Sequence, residues 1–323
     1  MTPTVARMVA ARRRELGFPL RLYAIPNLFR YERPQKGRLR EHWQLNVDLF
    51  GVSNILADAE IIEIAYRLMK SFGADDSMFQ IKVADRALLE TAFDACEMTK
   101  EQKDAYRRLL DKKAKIPASE FTAAAAEITD RDPIALIEGT DPSVAEAEGV
   151  VRGLISMLKE RGVSNVVFDP SIVRGFDYYT GTVFEVYDTS GENTRSLFGG
   201  GRYDYLVAEY GGEQVPAMGF GMGDVTARDF LETHKLLPHL NPATQLYIAP
   251  AGAPEGAAKA ADRLREIGIN TAVGIKDQKI GDHIKTAEKL SIPDFAVYGS
   301  AEEASGIITI KNLKTGETRE QSL

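Results

Sequence analysis

FRYERPQKGRLREHWQLNVDLF, residues 29–50, reads as a hairpin with chemistry on it. A strand-like apolar run from Leu20 to Phe29 leads into Arg30 and Glu32, spaced two apart and so on one face of a strand. A basic loop follows, with Arg33, Lys36, Arg38 and Arg40 gathered around Pro34 and Gly37. The alternating run from Trp43 to Leu49 then predicts the returning strand, with Gln44, Asn46 and Asp48 on one face. A guanidinium and a carboxylate from one strand, polar groups from the other and a cationic lid suit a nucleoside triphosphate beside a small polar co-substrate.

Two later segments narrow the reading: VRGFDYYTGTVFEVYD at 173–188 and GGGRYDYLV at 199–207. With them in this order, residues 29–50 resemble motif 2 of class II aminoacyl-tRNA synthetases, in the form found in histidyl-tRNA synthetases. The later segments resemble that family's two histidine signatures, and GFGMG at 219–223 its motif 3. Three matches in order are far more specific than one glycine motif. The resemblance covers nearly the whole chain and implies an α+β fold: an antiparallel-sheet catalytic core of the class II type with a helical insertion, plus a C-terminal α/β anticodon-binding domain.

The totals agree. At 323 residues the chain has room for two or three domains, and 44% hydrophobic with 27% charged residues is ordinary for a globular protein. No run is long enough to cross a membrane. A single cysteine, Cys96, excludes an internal disulfide framework and fits a reducing cytoplasm. His42, His234, His239 and His283 are scattered without metal spacing, so no structural metal is expected. The net charge is −7, yet residues 1–40 hold ten Lys or Arg against two acids. Such asymmetry favours a local phosphate site over a generally basic surface. Arg12 to Arg14 read as a solvated helix face. The Arg-rich opening has transit-peptide composition, but it runs straight into the hairpin and is read as part of the fold.

Along the chain, a helix is expected over 3–16, started by Thr2 or Thr4 with Pro3 in its first turn. Helical spacing over 58–72 stops at Gly73, and 79–83 is a short strand. Residues 1–85 form the first part of the core, 86–141 a helical insertion, 142–236 the second part of the core and 245–323 the α/β domain, with a Pro-containing polar linker at 236–244. Ser143 and Glu146 have capping-box spacing before a helix over 144–161. The stretch 217–232 reads as strand, glycines, helix.

Amino-acid activation joins two anions, the substrate carboxylate and the α-phosphate of ATP, so it needs cations aimed at both. The resemblance assigns the catalytic part to Arg30, which bridges carboxylate and α-phosphate, and to Arg174 of the first signature. It places Glu32 at adenine, Arg38 at the distal phosphates and Gly223 at ATP. Gln44, Asp48, Arg174, Tyr178, Tyr179 and Tyr203 become the histidine-binding set. The family often has Glu where this chain has Asp48. ATP is implied as substrate with Mg²⁺ accompanying it, L-histidine and tRNA(His) as partners, and a homodimer as the assembly. Gly199 to Gly201 would admit a close backbone approach.

The chain departs from the family in two places. Motif 3 commonly carries an arginine in a G-x-E-R arrangement; here Thr226 stands at that position. Arg228, two residues on, lies about 200° around a helix. Family members also begin with a motif 1 segment and a Pro-Glu ahead of the threonine loop, and the sequence opens at Met1-Thr2-Pro3-Thr4. Two alternatives to a histidine–tRNA ligase stay open at this point. One is a histidine-sensing relative of the ATP phosphoribosyltransferase regulatory subunit type, which typically lacks the α/β domain; the other is an inactive fragment.

Overall fold

The structure is a computed structural model; it describes residues 1–323 other than 111, 114–115, 173–177, 239 and 241. The chain divides into two compact units, Met1–Leu237 and Pro238–Leu323.

The first unit is built on an eight-stranded sheet. Its strands are β1 (Leu20–Ala24), β2 (Asn27–Phe29), β3 (Glu41–Phe50), β4 (Phe79–Asp85), β5 (Val166–Phe168), β6 (Thr182–Asp188), β7 (Phe198–Arg202) and β8 (Ala217–Gly223). The order is β1-β3-β8-β7-β6-β4-β5, with β2 also on β3. Every pairing is antiparallel except β4 with β5. The run expected as one strand over 20–29 is two, because Pro26 has no N–H to give the ladder; its carbonyl accepts from Gln44 N–H at 3.2 Å instead.

One face of this sheet carries large apolar side chains. Leu49, Met218, Phe220, Met222, Phe184 and Val186 are buried against α2 (Ile55–Ser71), α7 (Ala145–Glu160) and α8 (Asp224–Thr233). Asn54 caps α2 by accepting from Leu56 N–H at 3.0 Å, and Gly73 at φ +87° stops it. The opposite face is covered in part by α1 (Thr2–Arg12), whose Val5, Ala6 and Val9 pack with Phe50, Val183, Tyr203 and Ala217. The helix starts at Met1, with no side-chain cap from Thr2 or Thr4, and ends four residues earlier than its spacing suggested. The chain leaves the helix in a turn, Glu15 N–H donating to the Arg12 carbonyl at 2.8 Å.

Between β4 and α7 lie four helices and no strand among the described residues: α3 (Arg86–Ala95), α4 (Lys100–Leu110), α5 (Ala118–Ile128) and α6 (Pro133–Glu138). Phe93, Tyr106 and Phe121 stack edge-on at the centre of this group, 5.7 and 6.4 Å apart. The Tyr106 hydroxyl donates to Asp132, which also caps α6. The capping box expected at Ser143 is absent: Asp141 takes both the Ser143 hydroxyl and N–H, and α7 starts without a side-chain cap. A reciprocal box sits at the start of α4, where Thr99 and Gln102 satisfy each other's N–H groups.

The second unit is an α/β sandwich on a five-stranded sheet, order β10-β9-β11-β12-β13. These strands are β9 (Leu246–Pro250), β10 (Thr271–Val273), β11 (Asp294–Tyr298), β12 (Ile307–Asn312) and β13 (Thr318–Ser322). Strands β10, β9 and β11 run parallel, β12 and β13 continue the sheet antiparallel, and apolar residues line both faces of β9 and β11. Helix α9 (Pro254–Glu266) covers one face through Ala257, Ala260, Ala261 and Leu264. On the other, α10 (Ile280–Lys289) contributes Ala287 beside Tyr247 and Phe295. β13 lacks apolar alternation and is mostly exposed, so only its pairing with β12 makes it a strand.

Candidate active site

The glycines of β7 and β8 match the polar residues of β3. In the β3–β8 register Gln44 stands opposite Gly223, Asn46 opposite Gly221 and Asp48 opposite Gly219. One strand further, Gly221 faces Gly199 and Gly219 faces Gly201; on β6, Glu185 faces Gly199. Residues directly opposite share a face. A trough without side chains therefore runs across the middle of the sheet, edged by Gln44, Asn46 and Glu185. A Cβ on Gly221 would meet Gln44 Nε2 at 2.4 Å, and one on Gly219 would meet Asp48 Oδ1 at 2.3 Å. The intervening Gly200 serves the other face: its Cβ would fall 1.9 Å from the Gly219 carbonyl, where Phe220 packs.

Above this floor lies a cleft of about 700 Å³, with Arg30, Arg38, His42, Gln44, Tyr178, Tyr179, Glu185 and Arg195 in its walls. Its two ends differ. Arg30 follows Phe29, which pairs with Glu41, so the arginines stand at the start of β3. Asp48 lies six residues along that strand from His42, roughly 20 Å at the usual rise.

At the cationic end, Arg30 Nε donates to the Leu39 carbonyl at 2.8 Å and its backbone N–H to the Arg40 carbonyl at 2.8 Å. Among the described residues no partner engages its terminal nitrogens. The basic loop is a tight turn rather than an open lid. Gln35 and Arg38 exchange backbone bonds of 3.0 and 2.9 Å, with Gly37 at φ +74° in the turn. Arg38 pairs with Glu32 at 2.9 Å. His42, buried next to Arg30, has its pKa lowered, first by burial and then by the Arg30 charge. It shares the face of Gln44 through the same alternation, a signal that extends two residues earlier than the sequence reading took it.

At the other end Tyr178 and Tyr179 lie 4.8 Å apart, and Tyr178 meets the Tyr203 ring edge-on at 5.9 Å. Tyr203 is fully buried and donates its hydroxyl to Asp48 Oδ1 at 2.5 Å. Burial pushes Asp48 up to about 6, against the bond from Tyr203 that lowers it. Asp48, Tyr203 and Glu32 are not in the cleft wall; the first two form the layer behind Tyr178 and Gly219, and Glu32 reaches the cleft through Arg38. Arg174 lies outside the described residues. Gln44 and Asn46 hold each other, Gln44 Nε2 donating to Asn46 Oδ1 at 2.6 Å.

The arginine of the second signature is structural. Arg202 is buried, with Nε donating to Asp58 Oδ1 at 3.0 Å, and its terminal nitrogens reach the Val52 and Asn54 carbonyls and Asp204. It thereby ties β7 to the start of α2. The position of the motif 3 arginine is held by Thr226, whose hydroxyl donates to the Leu197 carbonyl at 2.6 Å. Arg228 points to solvent and pairs with Glu232 at 2.7 Å. Among the described residues no three His, Cys, Asp or Glu side chains gather as a metal site, and no helix is long and apolar enough to cross a membrane.

Comparison with known proteins agrees with this geometry. Residues 1–224 match the histidyl-tRNA synthetase family model, and residues 245–323 match the anticodon binding domain. The chain is 40% identical to a histidine–tRNA ligase of Leptospira biflexa serovar Patoc over 330 residues, covering 97% of this chain and 76% of the relative. A histidine–tRNA ligase of Halobacterium salinarum is 34% identical, covering 98% and 77%. The crystal structure of histidyl-tRNA synthetase from Nostoc sp. PCC 7120 superposes with a TM-score of 0.76 at 21% identity, over 98% of this chain and 79% of that one. That likeness establishes a shared fold. Sheet order, glycine-floored cleft and sequence relatives lead to one statement: the chain belongs to the histidyl-tRNA synthetase family.

Proposed function

We propose that the chain activates L-histidine with ATP and transfers it to tRNA(His). The observation that carries this reading is one cleft with guanidinium groups at one end of β3 and a buried carboxylate–tyrosine layer at the other, over a floor of backbone. A floor without side chains lets an extended ligand lie flat against the sheet.

Arg30 is the candidate for the reacting centre. Its terminal nitrogens, without a partner among the described residues, can bridge two oxyanions, the histidine carboxylate and the α-phosphate. A carboxylate oxygen attacks the α-phosphorus, the bond to the β-phosphate oxygen breaks, and pyrophosphate leaves with that electron pair. The 3′ end of tRNA then attacks the acyl carbon and AMP departs. Mg²⁺ enters with ATP as part of the substrate. Arg174 holds the second cation's part by resemblance alone. Tyr178, Tyr179 and Gln44 form the wall for the imidazole, while Asp48 acts through Tyr203 from behind. Glu32, by holding Arg38, sets the position of that guanidinium for the distal phosphates, and Gly223 leaves room for ATP at the start of α8.

The second unit, matching the anticodon binding domain over 245–323, supports tRNA binding and disfavours the histidine-sensing alternative, whose members typically lack it. A homodimer is part of the proposal; the exposed Tyr23, Phe29, Tyr31 and Trp43 give β1 to β3 an apolar outer surface of the kind interfaces cover. The test is charging: labelled histidine should become acid-precipitable on tRNA(His) with ATP, and not on a tRNA of another identity. Equal charging of both, or of neither with a folded sample, would refute the reading.

A further inference from the structure

Among the described residues Arg195 is the third guanidinium in the cleft, and none of the sequence motifs contains it. It lies on the segment between β6 and β7, two residues before Leu197. That segment is joined to the motif 2 turn twice: Arg195 donates a terminal N–H to Gln35 Oε1 at 3.1 Å, and Lys36 Nζ to the Glu192 carbonyl at 3.3 Å. Arg195 also faces a smaller pocket of about 310 Å³ that adjoins the cleft and shares Gly37, Leu197 and Thr226 with it.

The charge balance makes this position matter. ATP brings a polyanion to the cationic end of the cleft, where Arg38 is already offset by Glu32. Among the described residues no carboxylate pairs with Arg195, so its charge stays available to an incoming anion. Thr226, at the place of the motif 3 arginine, turns its hydroxyl to the Leu197 carbonyl and so fastens α8 to the segment carrying Arg195. Arg228 is turned away and neutralised by Glu232.

The geometry points to Arg195 as a nucleotide-binding residue that contacts the distal phosphates of ATP, supplying from the β6–β7 segment the cation that α8 lacks. This rests on the reading of the cleft as an ATP site. A neutral-amide bond to Gln35 is easily exchanged for a charge-assisted one to phosphate, which is the stronger.

The experiment measures ATP binding directly by calorimetry, with a non-hydrolysable ATP analogue and Mg²⁺, and KM values by pyrophosphate exchange. Arg195→Ala should weaken analogue binding and raise the KM for ATP roughly ten- to a hundredfold, the usual effect of losing a hydrogen bond to a charged group. The KM for histidine should move less than about threefold, and Arg195→Lys should recover part of the loss. Gln35→Ala separates ligand contact from loop tethering: it removes the bridge and keeps the guanidinium, so ATP binding should fall far less than in Arg195→Ala. Equal losses in the two variants would make Arg195 a tether and overturn the assignment, as would unchanged analogue binding in Arg195→Ala. The wild-type measurements keep the two claims apart. Analogue binding that depends on Arg195, without histidine-dependent exchange, would sustain the assignment while refuting the ligase reading; no analogue binding by the folded wild type would overturn both.

Discussion

Tyr203, directly after β7, and Asp48 on β3 share one short hydrogen bond, hydroxyl to Oδ1 at 2.5 Å, although β8 separates those two strands in the sheet. The bond crosses over β8 only because Gly219 has no side chain. It joins the second histidine signature to the motif 2 strand behind the cleft wall, and it fixes the ring on which Tyr178 leans.

The burial of Asp48 has a pH signature. Its folded-state pKa is about 6, above the ordinary 3.8, so the folded protein keeps this proton longer than the unfolded chain. The resulting stabilisation is full below about pH 4 and is lost as pH rises through about 6, for a total of about 3 kcal/mol. Asp48→Asn removes the titration. Relative to wild type, the variant should gain stability between pH 4.5 and 7.5 in urea melts followed at both pH values. A stability difference that does not change with pH would contradict the burial of a charged Asp48.

The glycine floor predicts two different costs. Gly200→Ala forces a Cβ into backbone at 1.9 Å, so the strands must part, and the loss should reach about 3 kcal/mol or more. Gly221→Ala meets the end of the Gln44 side chain, which can swing, so stability should fall by about 1 kcal/mol or less. Its penalty should appear instead as a higher KM for histidine. Chemical denaturation and exchange kinetics on both variants check the pair.

Arg202 and Asp58 are both buried, and their ion pair is 2.8 Å long. Arg202→Met leaves Asp58 uncompensated and should destabilise the first unit by about 3–5 kcal/mol. Asp58→Asn should cost more near pH 5 than at pH 8, because burial raises the Asp58 pKa to about 6 and the stability that this raised pKa contributes is lost as pH rises through that value. Urea denaturation at the two pH values measures this.

Arg30→Ala should lower kcat for pyrophosphate exchange on the order of a hundred- to a thousandfold, as expected for a group that stabilises charge at the reacting phosphate. Histidine binding without ATP should weaken too, roughly tenfold, because the carboxylate loses its guanidinium partner. A rise in KM alone, with kcat intact, would move Arg30 from chemistry to ground-state binding.

The sequence made strand β3, helix α2 and the change to parallel α/β packing after residue 245 readable, because burial periodicity dominates there. The resemblance singled out Tyr178, Tyr179 and Gln44, which the fold brings into one wall. Other features depend on register between distant strands. Nothing local marks Gly219 and Gly221 as partners of Asp48 and Asn46, or Arg202 as a buried clamp. Arg195 sits in an exposed segment with no periodicity, and only its bond to Gln35 draws attention to it. β13 escapes because its residues are polar and its order comes from pairing alone. The Ser143 capping box failed because a nearer acceptor, Asp141, takes the serine hydroxyl.

The most direct test is amino-acid-dependent exchange of labelled pyrophosphate into ATP by this chain, with each of the standard amino acids in turn. Exchange that appears with histidine and with no other amino acid is the expected result. Exchange driven equally well by another amino acid, or none at all from a folded sample that binds ATP, would contradict the assignment of the cleft to histidine activation.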